Sequence, residues 1–191
     1  MIHKPKKLIV ANWKMNVTSE KDAEGLFLSI RNVVAKLDYT RMICCPPHMY
    51  VNQVAQHVNH PNYRVGGQDA YAEESGSRTG ETSVLMMKNA GAEYVILGHS
   101  ERRHLETKSD VARKVTAVLE HEMTPIICVG EEQRDRNWKK NLTQQLKDVF
   151  NRVPKKNPEN IMIAYEPIWA ISGDKKNPIR ILVRDLSHFS P

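Results

Sequence analysis

Three ionisable side chains of three different types stand behind short β-rich apolar runs in this 191-residue chain. Lys14 follows Leu8–Ala11, His99 follows Tyr94–Leu97, and Glu166 follows Ile161–Ala164. A cation, an imidazole and a carboxylate around one pocket can hold an anion, polarise a carbonyl and take a proton from the neighbouring carbon. Each residue also has an ordinary reading: Lys14 as a solvated lysine, His99 as a turn residue, Glu166 before Pro167 as a charged loop residue. Their shared placement at strand ends singles them out. A carboxylate of ordinary pKa, about 4.3, is a poor base toward carbon unless burial raises its basicity and the charge that develops is stabilised in place. The chemistry therefore also requires that water be kept out.

The elements that would position these residues alternate along the chain. Apolar runs at Leu8–Ala11, Met42–Cys45, Tyr63–Val65, Tyr94–Leu97, Ile126–Val129 and Ile161–Ala164 read as six strands. Helix-length segments separate them. The first has Ser19 as N-cap with Asp22 three residues on, and Ala23, Leu26, Phe27, Ile30, Val33, Val34 and Leu37 at helical spacing. Val51, Val54, Ala55 and Val58 mark a second, and Val84, Leu85 and Lys88 before Ala90-Gly91 a short third. Val111, Val115, Val118 and Leu119 mark a fourth, and Leu142, Leu146, Val149 and Phe150 a fifth. Repeated strand–helix–strand units predict the α/β class, as a doubly wound sheet or a (β/α) barrel, and both put ligands at the carboxyl ends of the strands. No GxGxxG or GxxxxGK[ST] follows a strand, which weighs against the nucleotide-binding versions.

Composition bounds the rest. Hydrophobic residues at 40% and charged residues at 26% match a globular domain with a core, not a disordered or disulfide-scaffold chain. Mean hydropathy of −0.53, with no apolar run near membrane-spanning length, predicts no membrane segment. The N-terminal segment lacks a signal-peptide core. Cys44, Cys45 and Cys128 cannot all pair, so a reducing, cytoplasmic compartment is expected. A net charge of +6 suits an anionic partner. Composition does not choose between nucleic acid and a phosphorylated metabolite, but the basic pairs, such as Lys139-Lys140 and Lys175-Lys176, are scattered and lack interleaved aromatics, so they read as solvated faces and disfavour a nucleic-acid binder.

Ala11-Asn12-Trp13-Lys14-Met15-Asn16, Gly98-His99-Ser100-Glu101-Arg102-Arg103 and Ala164-Tyr165-Glu166-Pro167-Ile168-Trp169-Ala170 resemble the three signature segments of the triosephosphate isomerase family, in its order and spacing. Gln68-Asp69-Ala70, Ser75–Glu81 and Cys128-Val129-Gly130-Glu131 resemble further family segments, so the likeness runs from about residue 7 to about residue 171. It implies a TIM-type (β/α) barrel and the interconversion of dihydroxyacetone phosphate and glyceraldehyde 3-phosphate, a step of glycolysis and gluconeogenesis, without metal or organic cofactor. By position, Glu166 would be the general base and neutral His99 the electrophile that shuttles protons between the substrate oxygens. Lys14 would neutralise the phosphate and the enediolate, Asn12 would donate a hydrogen bond, and Glu101 would be a supporting carboxylate. Pro167–Lys175 matches the family's lid, with Ser172 offering a backbone N–H to phosphate and Asp174 where the family has a hinge glycine. Thr79, Gly80 and Glu81 match the loop through which the family forms homodimers.

After Lys176 the likeness stops. A full barrel takes about 250 residues, so the expectation is an incomplete one of about six βα units out of eight, over residues 1–176, with a divergent tail at 177–191. No segment matches the glycine-rich turns of the seventh and eighth strands, whose N–H groups form most of the family's phosphate site. The first and sixth strands would then be unpaired edges. The tail reads as a short helix, with Asn177 as N-cap, Pro178 at the first position and Ile179, Leu182, Val183, Leu186 and Phe189 on one face. Ile179–Val183 also fits a strand. A shifted reading frame or a truncated product would account for the abrupt change. The alternative to an active isomerase is a non-catalytic barrel remnant that persists by associating with another chain.

Overall fold

The structure is a computed structural model that describes residues 7–37, 39–153, 160–170 and 182–185. The chain divides into two compact units, Met1–Val95 and Ile96–Pro191.

In the first unit β1 (Lys7–Asn12), β2 (Thr40–Cys45), β3 (Tyr63–Gly67) and the start of β4 (Tyr94–Leu97) pair in sequence order, all parallel. The register sets Asn12 beside Cys45, so the ends of β1 and β2 are level. Parallel neighbours need crossovers, supplied by α1 (Glu20–Val34), α2 (Val51–Gln56) and α3 (Val84–Asn89). The Ser19 cap forms as expected, its hydroxyl accepting from the Asp22 N–H at 3.1 Å. On α1 only Ala23, Phe27 and Val34 are buried, whereas Leu26, Val33 and the following Leu37 stay exposed, because the stripe in contact with the sheet is narrower than the apolar face. Phe27 packs edge-on against Tyr63 in this core, with Ile43, Val51, Val54 and Val65 fully buried around it.

The second unit holds the end of β4, α4 (Lys108–Glu120), β5 (Thr124–Val129), α5 (Trp138–Phe150), β6 (Met162–Tyr165) and β7 (Leu182–Asp185). Strands β5 and β6 are parallel, from Ile126 beside Met162 to Val129 beside Tyr165. Helix α4 starts with a capping box the sequence reading missed, in which Thr107 and Asp110 bond each other's backbone N–H. Val111, Val115 and Val118 turn inward from α4 over Ile126 and Ile127. The same helix carries a buried ion pair, Lys114 with Glu106, whose side chains are 7% and 5% exposed.

The succession of parallel strands and helices is that of an incomplete TIM-type barrel of about six βα units, as expected. The tail departs from expectation. Leu182–Asp185 form a strand, not a helix, and pair antiparallel with β6, from Met162 beside Asp185 to Tyr165 beside Leu182. The sixth strand is therefore not an open edge. Its outward peptide groups need partners, and Leu182–Asp185 supplies them, whereas a short helix would leave that ladder unpaired. Asn177, Pro178, Ile179, Leu186 and Phe189 lie outside the described residues, as do Ser172, Asp174 and the rest of the segment likened to the family's lid beyond Ala170. Among the described residues no helix is long and apolar enough to cross a membrane.

Candidate active site

In the first unit the residues behind β1 make a tight turn. Lys14 takes a positive φ of 51°, and its N–H donates to Asn12 Oδ1 at 3.0 Å. The Asn12 carboxamide thus spends its oxygen on the turn and keeps its Nδ2 protons for another acceptor. Gln68, behind β3, closes the turn from the other side: its Nε2 donates to the Lys14 and Cys45 carbonyls, both at 2.9 Å. Its segment was recognisable in the sequence, but its contact with Lys14 was not. Trp13 is buried, its backbone N–H donating to the Cys45 carbonyl at 3.0 Å. The segment Thr79–Glu81 is an exposed loop held by its own contacts, with Arg78 bonded to the Tyr71 hydroxyl at 2.7 Å and to Glu73 at 3.1 Å.

In the second unit β4 is followed by Gly98, whose φ of +67° suits glycine and turns the chain so that His99 caps the 3-10 helix Ser100–Arg102. His99 and Glu166 are both buried, 6% and 5% exposed. The structure brings them together, His99 Nε2 lying 3.4 Å from Glu166 Oε2. His99 Nδ1 accepts the Glu101 N–H at 3.2 Å, so the proton of the neutral ring sits on Nε2, facing the carboxylate. The separation is too long for a good hydrogen bond, and Glu166 Oε2 has no hydrogen-bond partner although it is buried. A buried, unsatisfied carboxylate oxygen is costly, and such atoms gather where chemistry is done. Glu101 contributes its backbone N–H to the ring while its side chain is mostly exposed.

Glu166 is held by the loop behind β5. Its N–H donates to the Val129 carbonyl at 2.7 Å, and the Ile168 N–H donates to the Glu131 carbonyl at 2.9 Å. Between these two bonds Gly130 meets the Glu166 backbone so closely that a Cβ there would lie 1.9 Å from the Glu166 carbonyl oxygen. Arg103 Nη1 donates to the Gly130 carbonyl at 2.8 Å. Burial pulls the Arg103 pKa down from its ordinary value, against the opposing pull of Cys128, Glu166 and Glu132.

Beside Glu166, Glu131 is almost fully buried and gathers the residues that follow β6. Its carboxylate accepts from the Tyr165 hydroxyl at 2.9 Å, Trp169 Nε1 at 3.1 Å and Arg134 Nη1 at 3.3 Å. Burial alone would raise its pKa, but the hydrogen bonds from Trp169, its own backbone, Tyr165 and Arg134 outweigh that and hold it below the ordinary value. Arg134 also stacks over Trp138, 3.7 Å from the ring centre. The resemblance had pointed to Glu131 without giving it this role. Cys44, Cys45 and Cys128 are buried and form no disulfide with one another, and burial pushes the Cys44 thiol up to about 12. Among the described residues no cluster of His, Cys, Asp and Glu could hold a metal ion.

Comparison with known proteins gives a uniform result. The family model for triosephosphate isomerase matches residues 7–179. The chain is similar to the triosephosphate isomerase of Alkaliphilus oremlandii, 41% identical over 175 residues, covering 89% of this chain and 70% of that protein. It is 40% identical over 173 residues to that of Rhodopirellula baltica, covering 88% and 68%. It is 42% identical over 175 residues to that of Clostridium botulinum strain Loch Maree, covering 88% and 69%.

Proposed function

The chain belongs to the triosephosphate isomerase family, and on that premise we propose that it interconverts dihydroxyacetone phosphate and glyceraldehyde 3-phosphate by a 1,2-proton shift. The observation that carries this reading is the buried pair of His99 and Glu166, with Nε2 and Oε2 3.4 Å apart. Glu166 is the base: its unpartnered oxygen accepts the proton from the carbon beside the substrate carbonyl and returns it to the adjacent carbon. His99 donates from Nε2 to the carbonyl oxygen, stabilising the enediolate, and moves the proton between the two oxygens. The Glu101 N–H on Nδ1 supports this role, since it keeps the ring's proton on the nitrogen that faces the reaction. Lys14 neutralises the phosphate and the developing charge, Asn12 donates from Nδ2, and the Ser172 N–H binds phosphate. Only protons move.

The exposed loop with Thr79, Gly80 and Glu81 supports a homodimer, and three buried cysteines outside any disulfide fit a reducing, cytoplasmic setting. The domain reading is a partial barrel over 1–176 with a tail at 177–191. The decisive experiment is a coupled assay of the purified chain with both trioses. Wild type turns over, and Glu166→Asp and His99→Gln each lower kcat by roughly 10²–10⁴-fold, the usual worth of a positioned acid or base. No turnover at high enzyme concentration, in a sample that melts cooperatively, would refute the proposal.

A further inference from the structure

The loop that supports Glu166 is not held by packing alone. A cavity of about 600 Å³ lies against it, lined among others by Arg103, Cys128, Val129, Gly130, Glu131 and Gln145. Gly130 thus has empty space in its surroundings and, elsewhere, the Glu166 carbonyl at a distance that admits no side chain. Something must prevent the loop from relaxing toward the void.

We infer that Gln145, on α5, is a positioning residue for Glu166, acting through Gly130; the inference rests on the reading of Glu166 as the base. The Gln145 carboxamide grips both polar groups of that one residue. Its Oε1 accepts the Gly130 N–H and its Nε2 donates to the Gly130 carbonyl, each at 3.0 Å. The pairing copies one rung of a β-ladder, with a side chain in place of the second strand. A carboxamide does this at any pH, because it carries a donor and an acceptor on one planar group. An ionised carboxylate would set an oxygen against the Gly130 carbonyl, and a thioether would offer no donor. Arg103 supports the same carbonyl but leaves the N–H to Gln145. The load passes from α5 to Gly130 and then to the Glu166 backbone, which is stitched to the loop at Val129 and Glu131. Gln144, the residue before it, is exposed and bonds Asp148 on its own helix, so it takes no part.

The test compares wild type with Gln145→Met, Gln145→Glu and, as a control on the same helix, Gln144→Met, by steady-state kinetics and amide hydrogen exchange. A displacement of about 1 Å at a reacting group can cost about a hundredfold in rate, so kcat should fall roughly ten- to hundredfold in both Gln145 variants. KM should stay within about twofold, because phosphate contacts are untouched. The Glu166 and Ile168 amides should exchange faster, while Val115 and Val118 in α4 are unchanged and Gln144→Met behaves as wild type. An unchanged kcat in a folded Gln145→Met, an equal loss in Gln144→Met, or a uniform rise in exchange would overturn the inference. If wild type does not turn over, the isomerase reading falls by itself, and exchange at Glu166 and Ile168 alone decides whether Gln145 positions that segment.

Discussion

Gly130→Ala should separate folding from catalysis most sharply. The added methyl carbon would begin 1.9 Å from the Glu166 carbonyl oxygen, 2.4 Å from its carbonyl carbon and 2.8 Å from the Pro167 nitrogen. Since Cβ contacts under 3.0 Å are essentially never seen, the two backbones must part by about 1 Å or more. Gly130 cannot readily yield, being bonded to Gln145 through both its N–H and its carbonyl and to Arg103 through the carbonyl. The movement falls on Glu166 and strains its 2.7 Å bond to Val129. Overpacking of this kind costs about 1–3 kcal/mol of stability, which a cooperative melt would register as a lowered Tm. A base displaced by about 1 Å loses about a hundredfold in kcat, or about 3 kcal/mol of transition-state stabilisation. The coupled assay should show that loss in kcat with little change in KM. A folded Gly130→Ala protein retaining kcat within about threefold of wild type would refute the argument that this contact sets the position of the base.

Two further outcomes follow from buried charge. Lys114→Met leaves Glu106 buried without its cation, and denaturant unfolding should show a loss of about 3–5 kcal/mol; a loss under about 1 kcal/mol would mean that the pair is not buried in solution. Glu131 is held below the ordinary carboxylate pKa, so it contributes stability that is fully present above its unfolded value of about 4.3 and is lost as pH falls through the lower folded value. Glu131→Gln should therefore flatten the dependence of Tm on pH below about 4.3, and a wild-type slope in that variant would contradict the hydrogen-bond assignment.

Much of the fold could be read from local pattern. The apolar runs at Met42–Cys45 and Ile126–Val129 became β2 and β5 because strands buried on both faces need unbroken apolar sequence. Ser19 capped α1 because a hydroxyl three residues before a free N–H needs no tertiary help. Lys14, His99 and Glu166 could be picked out because each lies two or three residues past the end of such a run. The tail could not be settled in this way. Leu182 and Val183 suit a helix face or a strand equally well, and the choice fell to the unpaired edge of β6, which lies outside their own sequence neighbourhood. Gln145 carried no signal either, as one of two adjacent glutamines on a polar-faced helix whose difference lies only in what each one meets.

The sequence by itself determined the alternation of strands and helices, the types of side chain at the strand ends and the family. These depend on periodicity, capping and residue chemistry, which act over a few neighbouring residues. Tertiary structure alone decided that His99 Nε2 faces Glu166, that Gly130 admits no side chain against the Glu166 backbone, and that a carboxamide from α5 bonds both polar groups of that glycine. Such facts arise where backbones distant in sequence come into contact, and at a spacing of a few ångströms the balance of sterics and hydrogen bonds is set by that contact.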